Sequence, residues 1–270
     1  MLALVVTVPG ADVELASDVL WSLGVGAIEE CVVAGHVELR TSLGDDVDGA
    51  TGAAAARLAP WPWRFVEVDE AVANTWRAHA QPVWIDTDLV VCPAWVPFEA
   101  GAGVAVLRIE PGSTFGLGDH PTTMLSMRAM RAALLDGATV LDVGCGSGVL
   151  AVGACVLGAS RAEAIDIAPA SVPITRANAT ANGVADRVHV STTPLAEVDG
   201  RYDIVVANIL APTLIEMADD LRRVVAPSGV LIVSGVLAAR HEHVEAALQP
   251  FRQTRRSTHD GWAAVTLAAP

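Results

Sequence analysis

The sequence predicts an α/β fold: a doubly wound sheet closing in an antiparallel hairpin, preceded by a smaller α+β domain. Three observations carry this reading. Residues 139–148 read Thr-Val-Leu-Asp-Val-Gly-Cys-Gly-Ser-Gly, a β-branched apolar run feeding a glycine turn, and 149–157 continue as an apolar helical stretch. Two later apolar runs each reach a polar residue near their end, Asp166 in 162–167 and Asn208 in 202–210. The chain closes with two strand-like runs, 252–257 and 262–267, about His259-Asp260-Gly261.

From the start of the chain, 1–8 is β-rich and is broken by Pro9-Gly10. Residues 13–23 carry apolar positions at helical spacing, with Asp12 as N-cap and Gly24 after the end. Residues 27–33 and 37–41 read as strands, 46–58 as an alanine-rich helix and 63–68 as a fourth strand. The order β-α-β-β-α-β predicts a ferredoxin-like domain over 1–68. A linker follows over 69–110, with a helix at 70–79 and short strands at 84–91 and 104–109. Residues 111–270 form the third segment. It opens with a Gly- and Pro-rich loop at 111–123 and a helix at 124–135. Further on, a helix closes at 221–225, 230–234 is a strand and 241–248 is helical.

Composition narrows the class. The formal net charge is −14, and all 17 basic residues are arginine. Residues 1–56 hold nine acids against Arg40 alone. Such a surface repels nucleic acid and favours a basic partner. The longest apolar stretch, 149–159, is too short to span a bilayer, and no basic residue precedes Arg40 as a signal or transit peptide would need. A cytoplasmic protein, acting as a monomer without membrane contact, is expected. Cys31, Cys92, Cys145 and Cys155 lack metal-ligand spacing, so no metal site is predicted.

The glycine turn is the chemical centre. Ligands of doubly wound sheets lie outside the carboxyl ends of the strands, where free helix N–H groups also point. The dinucleotide pattern G-x-G-x-x-G fails, because Val149 stands where its last glycine would be. The sequence D-x-G-x-G-x-G instead resembles the first motif of class I S-adenosylmethionine-dependent methyltransferases, which are Rossmann-like. Asp166 is placed to accept hydrogen bonds from ribose hydroxyls. His120 is a candidate general base, with a hydrogen-bonding role behind the reacting groups as the favoured reading. Thr122 and Thr123 could cap the helix they begin.

Longer motifs make the resemblance more specific. Leu-Gly-Val-Gly-Ala-Ile-Glu-Glu at 23–30, Trp76-Arg-Ala, Phe115-Gly-x-Gly-x-His-Pro-Thr-Thr123, Ala207-Asn-Ile-Leu210 and Gly261-Trp262 are similar to those of the ribosomal protein L11 methyltransferases. That resemblance implies transfer of methyl groups to lysines and the N-terminal amine of L11. It implies S-adenosylmethionine contacts at Thr123, Gly144, Gly146, Asp166 and Asn208, and substrate contacts at Phe115 and Leu210. Asn208 would also be catalytic, accepting the amine's N–H bonds as the Asn-Pro-Pro-Tyr asparagine does in other amine methyltransferases. Leu117 and Asp119 depart from the family's threonines, which bears on substrate preference. Three alternatives stay open: a methyltransferase of the electron-transfer flavoprotein β-subunit type, a small-molecule amine methyltransferase, and a non-catalytic binding module of the same fold.

Overall fold

The computed structural model describes residues 2–21, 23, 25, 28–33, 35–42, 57–67, 76–112 and 114–270. It divides into two compact units, 1–80 with 113–115, and 81–112 with 116–270. No helix among the described residues is long and apolar enough to cross a membrane.

The first unit carries β1 (Leu2–Val8), α1 (Val13–Trp21), β2 (Glu29–Val33), β3 (His36–Ser42), β4 (Trp63–Glu67) and α2 (Trp76–His79). Its sheet has the order β2-β3-β1-β4, and every pair is antiparallel. Alternation places Leu4, Val6, Val8 and Leu39 on one face, where they form a core with Ala16 and Leu20 of α1 and with Leu58 and Trp61. Asp12 does not cap α1. It ends a short 3₁₀ turn, Gly10–Asp12, and its Oδ2 accepts from Trp61 Nε1 at 3.1 Å. Residues 46–56 of the helix expected over 46–58 and the first part of that over 70–79 lie outside the described residues, as do Asp45, Asp46 and Asp48.

The second unit opens with β5 (Val83–Asp86), β6 (Leu89–Pro93) and β7 (Ala105–Ile109), a small sheet of order β5-β6-β7. The run 84–91 is therefore a hairpin and not one strand. Thr87 and Asp88 turn the chain, with Thr87 N–H donating to Asp86 Oδ1 at 2.8 Å, the local bond that makes aspartate a turn former. Nor does this part of 69–110 behave as a linker. Ile85, Leu89, Val91, Leu107 and Ile109 are buried in one core with Met127 and Met130.

The rest is α3 (Pro121–Ala133), β8 (Thr139–Val143), α4 (Val149–Val156), β9 (Arg161–Ile165), α5 (Ser171–Ala181), β10 (Val188–Ser191), β11 (Tyr202–Asn208), α6 (Ala211–Glu216), α7 (Ala218–Arg223), β12 (Val225–Leu237), α8 (His241–Ala247), β13 (Arg252–His259) and β14 (Trp262–Ala268). Seven strands pair in the order β10-β9-β8-β11-β12-β14-β13. All pairs are parallel up to β12, and β14 then runs antiparallel to both β12 and β13. The closing hairpin does form, but its second strand is inserted between β12 and the first. Because both faces of the sheet are covered, β8 and β11 are near-continuous apolar runs. Val140, Ile204 and Val206 pack into one core, and Leu141, Val205 and Ala207 into a second on the opposite face.

Candidate active site

The strand order reverses between β8 and β11, and Gly144 and Gly146, Asp166 and Asn208 lie at the carboxyl ends of β8, β9 and β11 respectively. The turn after β8 is fixed by its own backbone. Gly144 and Cys145 N–H both donate to Ile165 O, at 2.9 and 3.1 Å, and Gly148 N–H donates to Cys145 O at 2.7 Å. Gly144, Gly146 and Gly148 all have positive φ, a conformation in which side chains are strained. At Gly144 a Cβ would also stand 2.5 Å from Ile209 Cγ2, so the turn and the Asn208–Ile209 segment are in van der Waals contact. Gly235 supports Ile209 from behind: a Cβ there would lie 2.5 Å from Ile209 O.

Asp166 follows β9. Its Oδ2 accepts from Gly146 N–H at 2.7 Å and its Oδ1 from Ala168 N–H at 2.8 Å. The carboxylate thus ties the glycine turn to the next loop, a job the sequence reading did not give it, and each oxygen keeps a further lone pair. Asn208 ends β11 opposite Ser234 of β12. It is half-buried, and its amide makes no hydrogen bond among the described residues. Leu210 is half-buried at the start of α6, where Leu214 N–H donates to its carbonyl at 3.0 Å.

α3 starts three residues earlier than its periodicity suggests. Pro121 occupies its first turn, where a missing N–H costs nothing, and His120 is the N-cap. His120 Nδ1 accepts from Thr122 N–H at 3.3 Å and lies 2.7 Å from Thr122 Oγ1. The two threonines therefore do not cap the helix. Both are buried, and Thr123 Oγ1 has no hydrogen-bond partner among the described residues. Ser234 Oγ, 3.0 Å from Ala263 O and 3.4 Å from Thr122 O, links this helix start to the strand end beside Asn208. The His120 ring packs edge-on against Trp262 at 5.3 Å. Burial lowers its pKa and the neighbouring Asp119 partly opposes this, so the neutral ring that capping requires is favoured. Phe115 groups with the first unit and is more than a third exposed.

Asp142, the acid that ends the apolar part of β8, is fully buried. Its Oδ2 accepts from Ala151 N–H of α4 at 3.0 Å, and its Oδ1 has no partner. Desolvation pushes its pKa up to about 7. Cys145 is likewise held as the neutral thiol by burial and by the nearby carboxylates.

Several contacts were not foreseen. Ser147 Oγ donates to Gly116 O at 2.6 Å, Thr175 Oγ1 donates to Gly146 O at 3.2 Å, and Asn178 Nδ2 donates to Ser147 O at 2.9 Å. The available signal was polar residues on the buried stripe of α5, at positions 171, 175 and 178, where an amphipathic helix carries apolar ones.

A family model described as ribosomal protein L11 methyltransferase matches residues 61–269. The chain belongs to that family. It is 40% identical over 208 residues to the L11 methyltransferase of Citrifermentans bemidjiense, an alignment covering 75% of this chain and 68% of the relative. With that of Geobacter metallireducens the identity is 45% over 176 residues, 65% of this chain and 58% of the relative. With that of Symbiobacterium thermophilum it is 38% over 243 residues, 88% and 78%. The crystal structure of a ribosomal protein L11 methylase from Lactobacillus delbrueckii subsp. bulgaricus superposes with a TM-score of 0.66 at 31% identity, covering 70% of this chain and 99% of that one. The fold is the class I methyltransferase fold, and the family's cofactor is S-adenosylmethionine. The residues present fit that cofactor. Gly144, Gly146 and Gly148 of the turn carry no Cβ, Asp166 retains acceptor capacity, and Thr123 Oγ1 and Asp142 Oδ1 are buried polar atoms without partners among the described residues.

Proposed function

We propose that the chain is a protein N-methyltransferase that moves methyl groups from S-adenosylmethionine to lysine and N-terminal amines of ribosomal protein L11. The observation that carries the reading is the half-buried Asn208 amide, unpaired among the described residues, on the segment that touches the glycine turn in a chain of this family. S-adenosylmethionine, when bound, supplies an electrophilic methyl carbon on a sulfonium. The remaining work belongs to the protein and is chiefly positioning.

In this reading Gly144, Gly146 and Thr123 line the cofactor's place, and Asp166 accepts from its ribose hydroxyls with the lone pairs left over from Gly146 and Ala168. A target lysine ammonium, with a reference pKa of about 10.4, has no lone pair to donate and must first lose a proton to solvent. Removal from water favours the neutral amine. Asn208 Oδ1 then accepts an amine N–H and turns the nitrogen lone pair towards the methyl group. Ile209, pressed between Gly144 and Gly235, fixes the backbone that carries Asn208. Leu210 contributes apolar surface for the substrate's aliphatic stem, Phe115 is a substrate contact carried on the first unit, and His120 holds the start of α3. Residues 1–68 form the ferredoxin-like substrate-recognition domain, whose excess of acids suits a basic protein such as L11.

Incubating the protein with radiolabelled S-adenosylmethionine, purified L11 and a panel of other basic ribosomal proteins tests this. L11 is expected to take up label at lysine and N-terminal nitrogens, located by mass spectrometry. Label on another panel member with none on L11 would overturn the substrate. Absence of S-adenosylmethionine binding would overturn the reaction.

A further inference from the structure

Two asparagines four residues apart, Asn178 on α5 and Asn182 at its C-cap, grip the edge of β7 as a neighbouring strand would. Asn182 Oδ1 accepts from Arg108 N–H at 2.9 Å and its Nδ2 donates to Arg108 O at 2.8 Å. Asn178 repeats the arrangement on Glu110, accepting from its N–H and donating to its carbonyl, both at 2.9 Å. The geometry has a simple origin. Four residues along a helix advance about 6 Å, and two residues along a strand advance about 6.7 Å. A primary amide presents one donor and one acceptor side by side, as a peptide edge does. Residues 108 and 110 point the same edge outwards, and the pair of amides closes it.

The two asparagines differ in where the second Nδ2 hydrogen goes. In Asn182 it returns to its own helix, to Asn178 O at 2.8 Å. In Asn178 it enters the glycine turn, at Ser147 O. The turn is held from the same side by Thr175 at Gly146 O, and at Gly148 a Cβ would stand 2.5 Å from Thr175. From the turn, Ser147 Oγ reaches back to Gly116 O, in the loop that follows the gripped edge. Asn178, 2% exposed, therefore belongs to a closed circuit: strand edge 110, glycine turn 147, loop 116.

We propose that Asn178 is a positioning residue for the methyl-donor site, holding the glycine turn in register with the strand edge at Glu110 and, through Ser147, with Gly116. The proposal rests on the reading of that turn as the S-adenosylmethionine site. With Asn178 and Thr175 in place, the carbonyls of residues 146 and 147 are both directed into α5, and the turn reaches its binding shape before any ligand arrives. Without Asn178, Ser147 O and the two polar groups of Glu110 lose their buried partner, and the turn must be ordered at the expense of binding.

The test compares Asn178→Ala with Asn182→Ala in the full chain, measuring thermal stability, S-adenosylmethionine affinity by calorimetry, and KM and kcat. Both variants are expected to lower Tm, since each opens the strand edge. Only Asn178→Ala is expected to weaken S-adenosylmethionine binding, about tenfold, with KM for S-adenosylmethionine rising in parallel and kcat at saturation changing less than about threefold. Equal Tm losses with unchanged affinity in both would overturn the proposal and leave Asn178 as a packing residue. Should Asn178→Ala not fold, Thr175→Val keeps the volume while removing the bond to Gly146 O. A several-fold loss of affinity in that variant supports the proposal, and none overturns it. A wild-type protein that does not bind S-adenosylmethionine would instead overturn the cofactor reading itself.

Discussion

In the N-terminal sheet, β2 exposes Glu29, Glu30, Val32 and Val33, and β4 exposes Arg64, Val66 and Glu67. In the seven-stranded sheet, β8 and β11 are buried along most of their length and become polar only at a carboxyl end or a start. An antiparallel sheet covered on one face leaves the other for solvent or a partner, so its polar residues are spread along the strands. A parallel sheet covered on both faces leaves few places for polar side chains within its strands, Asp142 of β8 and Ser234 of β12 being buried exceptions. Asp166, Asn208 and the glycine turn stand at or just beyond strand ends. The first unit offers a surface and the second offers a site. Polar groups at Glu38 illustrate the difference: it sits between Arg40 and Arg64, and hydrogen bonds from both guanidiniums hold its pKa below the usual carboxylate value. Asp142, inside the second unit, has no such partner and its pKa goes the other way.

If chemistry resides only at the sheet ends, the largest effect belongs to Asn208→Ala. Its kcat for L11 methylation should fall on the order of 10²-fold, with S-adenosylmethionine affinity changed far less, because the amide acts on the amine being methylated. A variant within a factor of about two of wild type in kcat would remove Asn208 from the reaction. Asp166→Ala comes next. Loss of its ribose contact should weaken S-adenosylmethionine binding by about 1.5–3 kcal/mol, and loss of its bonds to Gly146 and Ala168 should lower Tm as well. A lowered Tm with undiminished affinity would reduce Asp166 to a turn anchor.

Asp142 sharpens the contrast through pH. Its folded pKa of about 7 lies above the unfolded value near 3.8, so the folded state binds the extra proton between them. The associated stability is complete below the unfolded value and is lost as pH rises through the folded one. Asp142→Asn keeps an acceptor for Ala151 N–H and cannot ionise. Relative to wild type it should gain on the order of 1–3 kcal/mol above pH 8 and little at pH 4. Denaturant titrations of both proteins across that range check this, and a constant difference would show that Asp142 does not titrate there.

The smallest effect is expected in the first unit. Glu29 and Glu30 are exposed on β2, and reversing both to arginine should slow association with L11 by about two- to fivefold and flatten its salt dependence, with kcat nearly unchanged. A fall in kcat instead would mean that this surface acts on the chemical step.

Much of the site was legible because its signals are local. A run of β-branched residues, three alternating glycines and a helix are read within twenty residues, and the acids and amides at strand ends follow from the same runs. The position of α3 was less legible. Its periodicity begins inside the helix, and only the His120 side chain turned back onto Thr122 reveals the cap. Thr175 and Asn178 were not legible. Their partners lie 29 to 68 residues away, and polar residues on a helix reveal nothing about which backbone groups they will meet.

The sequence by itself determined the strand runs, the glycine turn and the carboxyl-end placement of Asp166 and Asn208, because burial on two faces and positive φ leave direct marks on residue type. The tertiary structure alone decided that 84–91 folds back as a hairpin, that 81–110 packs into the core of the second unit, and that β14 enters between β12 and β13. It also decided that the Asp166 carboxylate is shared with Gly146 N–H, and that Asn178 joins β7 to the glycine turn. These are pairings between groups far apart in the chain. Their energies depend on which donor meets which acceptor once the layers have packed, and no periodicity in the sequence encodes that.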